Sequence, residues 1–323
     1  MPAFSATAPG KIILFGEHVV VYGRPAIAVP IEQLRARAVI SADPHAEPGT
    51  VHIQAPDIDL DTFMDQLPAN HPLRKVVQVV LTELAITRPP ALKLRVNSTI
   101  PLAAGLGSGA AVSVAIIRAL SAFLGHRLQN DKVSSLAYEV EKLHHGTPSG
   151  IDNTVVTYSM PVFFVRGSPL ETFRVESPFT LVIGDTGISS PTAIAVGDLR
   201  QAWLAAPEHY EPIFDDVAQI VASARSLIES GQVRQLGPLM NENQVLLQEM
   251  GVSCVELDRL VSAACMAGAL GAKLSGGGRG GNMIALVEDS LQADVVQALE
   301  SAGAARTFTT QVGGSGYRTV SAE

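Results

Sequence analysis

From Val96 to Ile117 the chain carries no charged side chain, the longest such stretch in its 323 residues. So apolar a run is either a membrane-spanning helix or the inside of a fold. Asn97, Ser98, Pro101 and three glycines interrupt it, so it cannot span a bilayer. What remains is a strand, a tight turn and a buried helix in succession. Leu92, Leu94 and Val96 alternate with Lys93 and Arg95, the pattern of a half-exposed strand. Pro101 to Gly109 reads as a glycine-rich turn. The apolar run to Leu124 reads as a long helix that stops at Gly125.

The rest of the chain gives an α+β order rather than strict βαβ alternation. Strands are expected at Ile12 to Phe15, Val19 to Tyr22 and Ala26 to Ile40, with a helix over Leu73 to Leu84 and another over Asp131 to His144. Gly146 to Asn153 reads as turn, and Val162 to Val165 as strand. A mild shift near Gly167–Pro169 marks a boundary between residues 1–167 and 168–323. Beyond it come a strand (Phe179 to Ile183), four helical stretches between Thr192 and Met266, two strands flanking a glycine run, a helix and a last strand (Thr307 to Val312).

Composition narrows the function. Hydrophobic residues make up 47% and charged residues 17%, enough for a sizeable core and too apolar for disorder. Net charge is −8 with no Lys/Arg cluster, which argues against a nucleic-acid binder. Cys254 and Cys265 are expected as reduced thiols, and no Cys/His spacing suggests zinc. The N-terminus lacks the basic-then-apolar order of a signal peptide, so a cytoplasmic protein with no membrane partner is expected.

Four segments carry polar groups or glycines that folding alone does not require. Pro101-Leu-Ala-Ala-Gly105-Leu106-Gly107-Ser108-Gly109-Ala110-Ala111 places alternating glycines before a helix. Free amides of a first helical turn, with the positive end of the dipole behind them, form an anion cradle. Ser108 adds a hydroxyl for phosphate or magnesium. Gly105, Gly107 and Ala110 also fit a dinucleotide fingerprint, but the window some twenty residues on holds Asn130 and Asp131 opening a helix, not an acidic strand end. No Walker A pattern occurs. Gly276 to Gly281 holds five glycines in six positions, which suggests close backbone approach within a held loop. Lys11, Glu17 and His18 sit among apolar residues around one glycine turn. Asp152 follows the run His145-Gly-Thr-Pro-Ser-Gly-Ile, with Glu141 near the end of the preceding helix. His144 and His145 are adjacent on a helix and point apart, so they do not chelate a metal together.

Together these segments resemble the GHMP kinase superfamily. Ala8 to Gly23 is similar to its first motif, Pro101 to Ala111 to its ATP-phosphate loop P-x-x-x-G-L-G-S-S-A-A, and Lys273 to Asn282 to its third motif, in that order along nearly the whole chain. His145 to Asn153 is similar to the H-G-x-P-S-G-[IV]-D-N of the mevalonate kinases. Galactokinases carry G-E-H-T-D-Y-N where this chain reads Gly-Glu-His-Val-Val-Val-Tyr.

The resemblance implies a two-domain fold, with a ribosomal-S5-like N-terminal domain, a ferredoxin-like C-terminal domain and the active site between them. It implies ATP-dependent phosphorylation of mevalonate at its 5-hydroxyl, with Mg²⁺. Asp152 would be the base, and Lys11 would lie beside it and stabilise the transferring phosphoryl group. Ser108 and Glu141 would hold magnesium, and Pro101 with Gly105 to Ala110 would wrap the triphosphate. Glu17, His18 and Thr192 would line the acceptor pocket. Many relatives form homodimers. Two departures stand out: Gly109 replaces the second serine of the phosphate loop, and Arg279 replaces a common glycine of the third motif. Rival readings are a kinase of phosphomevalonate or of the 3-hydroxyl of mevalonate, a non-catalytic ligand sensor, and a nicotinamide dehydrogenase.

Overall fold

A computed structural model of the chain describes residues 3–101, 105–145, 149–189 and 192–313. The fold divides into two compact units. The first takes Met1–Gly10, Gln33–Pro101 and Gly107–Ser159; the second takes Lys11–Glu32, Leu102–Leu106 and Met160–Glu323. The changeover after Ser159 precedes the boundary expected at Gly167, and an early segment joins the second unit. The cause is the length of one strand. β2 (Ala26–Ala42) pairs with a late strand through its first half and with an early one through its second half.

In the first unit the second half of β2 lies antiparallel to β5 (Leu92–Ser98). β5 runs parallel to β3 (Val51–Ala55), which forms a hairpin with β4 (Leu60–Phe63). β1 (Ala3–Phe15) pairs with β2. As expected, Leu92, Leu94 and Val96 face inward. Among the described residues, four helices complete the unit. α1 (Pro72–Glu83) buries Leu73, Val76, Val77, Val80 and Leu81, one stripe at helical spacing. α2 (Ser108–Phe123) is buried on nearly every side, because α1, α3 (Asn130–His145) and α4 (Ile151–Tyr158) all pack on it.

The first half of β2 pairs in the second unit with β6 (Val162–Phe164), and β6 with β7 (Glu171–Thr172). A separate antiparallel sheet is built from β8 (Phe179–Asp185), β9 (Gly271–Ser275), β10 (Asn282–Val287) and β11 (Arg306–Val312) in the order β11-β8-β10-β9. Four helices separate β8 from β9: α5 (Thr192–Ala205), α6 (Pro207–Glu229), α7 (Leu236–Glu249) and α8 (Val255–Met266). α9 (Gln292–Ser301) separates β10 from β11. A 4-1-3-2 antiparallel sheet with helical crossovers is the ferredoxin-like arrangement expected for this part of the chain. Among the described residues no helix is long and apolar enough to cross a membrane, and both cysteines are free thiols.

Two expected elements differ. Val19–Tyr22 is a turn of 3₁₀ helix, not a strand, because His18 (φ 63°) and Gly23 (φ 82°) bend the chain at both ends. Gly146–Pro148 lie outside the described residues, but Ile151 onward is helix, not turn.

β9 is the edge of its sheet, and α7 covers its free amides. Asn241 Oδ1 accepts from the Ala272 amide (3.0 Å) and Gln244 Oε1 from the Leu274 amide (2.8 Å). One helical turn thus matches two alternate residues of a strand and closes an edge that could otherwise pair with another chain. Asn241→Ala leaves the Ala272 amide without its partner and is expected to cost about 1–3 kcal/mol, read from urea unfolding.

Candidate active site

The start of α2 is left open for an anion. Its N-cap is Gly107, left-handed at φ 73°, with no side-chain cap and no acidic residue in the first turn. The first intrahelical bond of the turn runs from the Ala111 amide to the Gly107 carbonyl (2.9 Å). The amides of Ser108, Gly109 and Ala110 precede it and have no helical acceptor. Ser108 is half-buried there, Ala110 is buried, and Pro101 is half-buried at the near end of the loop.

α3 supplies two things to this region. Glu141 is buried near its end, and a Cβ placed on Gly109 would lie 3.2 Å from Glu141 Oε1. The carboxylate therefore stands against the first turn of α2, at the residue after Ser108. A carboxylate and a hydroxyl are hard oxygen donors. They suit Mg²⁺, which takes few protein ligands and completes its octahedron with water and phosphate. Two turns earlier on α3, Ser134 anchors α4: buried Asn153 donates to the Ser134 hydroxyl (2.8 Å) and carbonyl (3.2 Å). Asp152, half-buried, sits beside that clamp in the first turn of α4. Ser108, Glu141 and Asp152 thus belong to one unit and share α3 as their support.

Lys11, Glu17, His18 and Thr192 belong to the second unit, with Gly105 and Leu106. The Lys11 amide donates to the Leu106 carbonyl (2.9 Å), so the buried first-motif lysine is tied to the phosphate loop through its backbone. Glu17, expected in an acceptor pocket, is fully enclosed and paired with Lys273 on β9. His18 is buried at the centre of a γ-turn closed by the Val19 amide and the Glu17 carbonyl (2.7 Å). Its φ of 63° and ψ of −48° are a strained conformation for a non-glycine residue. Neither ring nitrogen makes a well-formed hydrogen bond to a described residue. Burial pushes its pKa down to about 4; the Gly277 backbone pulls the other way, and the charges of Arg279 and Lys273 add smaller downward shifts.

The 3₁₀ turn after His18 is fixed on the helices behind it. Tyr22 stacks on Phe214 (centroids 4.5 Å apart) and meets Trp203 (5.2 Å), while Arg24 binds Glu211 and Asp215. Trp203 lies on α5, whose first residue is Thr192. Arg279, on the glycine run, pairs with Asp198 of the same helix. The run itself is held. The Arg279 amide donates to the Val252 carbonyl and the Gly281 amide to the Ile188 carbonyl (both 2.9 Å). Gly278 (φ 68°) comes so close to the Val252 carbonyl that a Cβ would lie 1.9 Å from that oxygen.

Known proteins match this architecture throughout. The GHMP kinases N terminal domain matches residues 71–160 and the GHMP kinases C terminal domain residues 224–305. A mevalonate kinase of Pyrococcus furiosus is 38% identical over 320 residues, 94% of this chain and 95% of its own. One of Thermococcus onnurineus is likewise 38% identical over 94% and 95%. The crystal structure of L. major mevalonate kinase in complex with R-mevalonate superimposes with a TM-score of 0.83 at 32% identity, covering 96% of each chain. The chain belongs to the mevalonate kinase family.

Within that family the two departures acquire a structural meaning. Gly109 leaves room for Glu141 at the phosphate loop, and Arg279 is engaged by Asp198. Three participants gave little signal in the sequence. Asn153 was visible only as the end of a motif, Lys273 only as the start of one, and Asp198 as one acid among many. Each acts by burial or pairing across a large sequence separation, which local pattern does not report.

His18 gives the site a pH signature. Unfolded, it titrates near 6.5; folded, near 4. Between those values the unfolded chain holds the proton and the folded chain does not, so its contribution is complete above about 6.5 and is lost as pH falls toward 4. The loss amounts to about 3 kcal/mol. Urea unfolding between pH 4 and 7 is expected to show that slope, and His18→Asn, which tolerates positive φ, is expected to flatten it.

Proposed function

We propose that the protein transfers the γ-phosphoryl group of ATP to the 5-hydroxyl of mevalonate, the first phosphorylation of the mevalonate pathway. The observation that carries the reading is the α3 scaffold. One helix sets Glu141 against the open first turn of α2 and anchors the turn of α4 that presents Asp152. Phosphoryl transfer demands little covalent chemistry from the protein beyond positioning, charge neutralisation and one base.

Asp152 takes the proton of the 5-hydroxyl as its oxygen attacks the γ-phosphorus and ADP leaves. The amides at the start of α2 hold phosphate oxygens. Lys11 stabilises charge on the group in transfer, a role that rests on its match to the family's first motif. Ser108 and Glu141 would hold magnesium, which neutralises phosphate charge when bound. His18 and Thr192 face the acceptor. His18 is neutral at physiological pH and can exchange a hydrogen bond with a hydroxyl without adding charge. A phosphorylated acceptor would call for additional cations, and Arg279 is committed to Asp198. This favours unphosphorylated mevalonate over phosphomevalonate.

ADP release from Mg·ATP with mevalonate, with the product read by phosphorus NMR, is expected to give 5-phosphomevalonate. Absence of ADP would sink the acceptor assignment. Asp152→Asn is expected to lower kcat by roughly 10²- to 10⁴-fold with little change in thermal stability. Glu141→Gln should act differently, raising the Mg²⁺ concentration needed for half-maximal rate; an unchanged Mg²⁺ titration would remove Glu141 from the metal site.

A further inference from the structure

The second unit contains an ion pair that the phosphotransfer chemistry does not use. Lys273 and Glu17 pair directly, and both side chains are 0% exposed. Lys273 is among the largest fully buried side chains of the chain, on a strand whose other residues are small or apolar. An enclosed charge pair gains little over an apolar pair of equal size, because both ions lose their hydration. Packing alone therefore gives no reason for a lysine here. Burial raises the Glu17 pKa and lowers that of Lys273, the direction expected when desolvation opposes both charges.

The geometry does give a reason. Lys273 Nζ also donates to the Leu274 carbonyl (2.7 Å), which fixes the ammonium to the backbone of β9. Glu17 Oε2 is enclosed with no hydrogen-bond partner among the described residues, so the carboxylate depends on Lys273 for its direct bond. Two residues on, and on the same face of the strand, the Ser275 hydroxyl donates to the Ile13 carbonyl (2.7 Å). β9 thus grips the first-motif segment at two points. The ionic grip, at Glu17, lies immediately before His18, whose strained γ-turn persists only if its surroundings fix it. The same strand leads into the pinned glycine run.

We propose that Lys273 is a positioning residue for acceptor binding: acting through the Glu17 carboxylate, it holds the strained His18 turn in register with β9 and the glycine run. Glu17 is then a support for His18 and makes no contact with the acceptor. The acceptor half of this inference rests on the mevalonate kinase reading; the geometric half does not.

The test uses the full-length chain with Lys273→Met, Glu17→Gln and both together. Three quantities are read: thermal midpoint, the His18 imidazole titration by NMR without ligand, and the separate KM and kcat for mevalonate. The His18 signal is identified by its loss in His18→Asn. Lys273→Met alone strands a buried carboxylate and should lower the thermal midpoint most. The double variant removes both charges and should melt within about 4 °C of the parent. If the pair positions His18, the double variant still shows the titration midpoint moved from about 4 toward 6.5, and a mevalonate KM raised about 10-fold or more while kcat falls less.

If the double variant keeps both the His18 midpoint and the mevalonate KM of the parent, the pair is only packing and the proposal is overturned. Should that variant not fold, the same two readings on Glu17→Gln decide in the same way. A parent protein that does not phosphorylate mevalonate would refute the function proposed above. In that case the ligand-free His18 titration still judges the ion pair alone.

Discussion

Everything at the phosphate loop depends on α2 being buried along its length while its first turn stays uncapped. A helix enclosed by α1, α3, α4 and the sheet cannot shift without disturbing the core of its unit. Its first-turn amides are therefore fixed in space, and no side chain satisfies them from the N-cap. Most proteins close such an end with Ser, Thr, Asp or Asn, because open amides weaken the helix. Gly107 forgoes that stabilisation, and a phosphate supplies the missing partner when it binds. The uncharged stretch that dominates the sequence is the cost of building this arrangement: the helix must be apolar on all faces to be gripped from all sides.

α3 and β9 solve a similar problem in their respective units. Each is a rigid element that makes a polar contact where rigidity is needed and is otherwise packed by apolar residues. On α3 the contact is neutral, Ser134 to Asn153, and it sits beside the residue that must be aimed. On β9 it is ionic, Lys273 to Glu17. The difference follows from what each supports. Asp152 begins a helix, a low-strain conformation that one pair of hydrogen bonds can hold. His18 occupies a γ-turn with positive φ, whose conformational cost of roughly 1–3 kcal/mol demands a stronger constraint.

The legibility of the sequence follows the range of the interactions. Periodicity located α1, α2, β5 and the strands of the ferredoxin-like sheet, because burial of one face or of all faces leaves a mark every few residues. It misjudged Val19–Tyr22, whose β-branched composition suits a strand, because the flanking left-handed residues decide the backbone there. β3 and β4 leave no comparable mark, because they are short and half-polar. At the site, the glycine-rich loop and Asp152 were legible as motifs. The enclosure of Glu17 was not, since its partner lies 256 residues away and nothing local distinguishes a buried glutamate from an exposed one.

The two departures from the family pattern show how a substitution can be absorbed without loss of the site. A serine at position 109 would place its Cβ 3.2 Å from a Glu141 oxygen, tighter than most such contacts, and the carboxylate would have to yield. With glycine, Glu141 keeps its place against the first turn of α2, and position 109 stays exposed. At Arg279 the opposite happens: a residue with a long charged side chain takes a left-handed conformation (φ 55°) that favours glycine. Its backbone amide is satisfied by Val252 and its guanidinium by Asp198, so the added charge is spent on α5, the helix that begins at Thr192. The glycine run is thereby tied to the helix that carries the third expected acceptor residue. At both positions the altered residue fits its surroundings: Gly109 spares Glu141 a tight contact, and Arg279 finds a carboxylate partner.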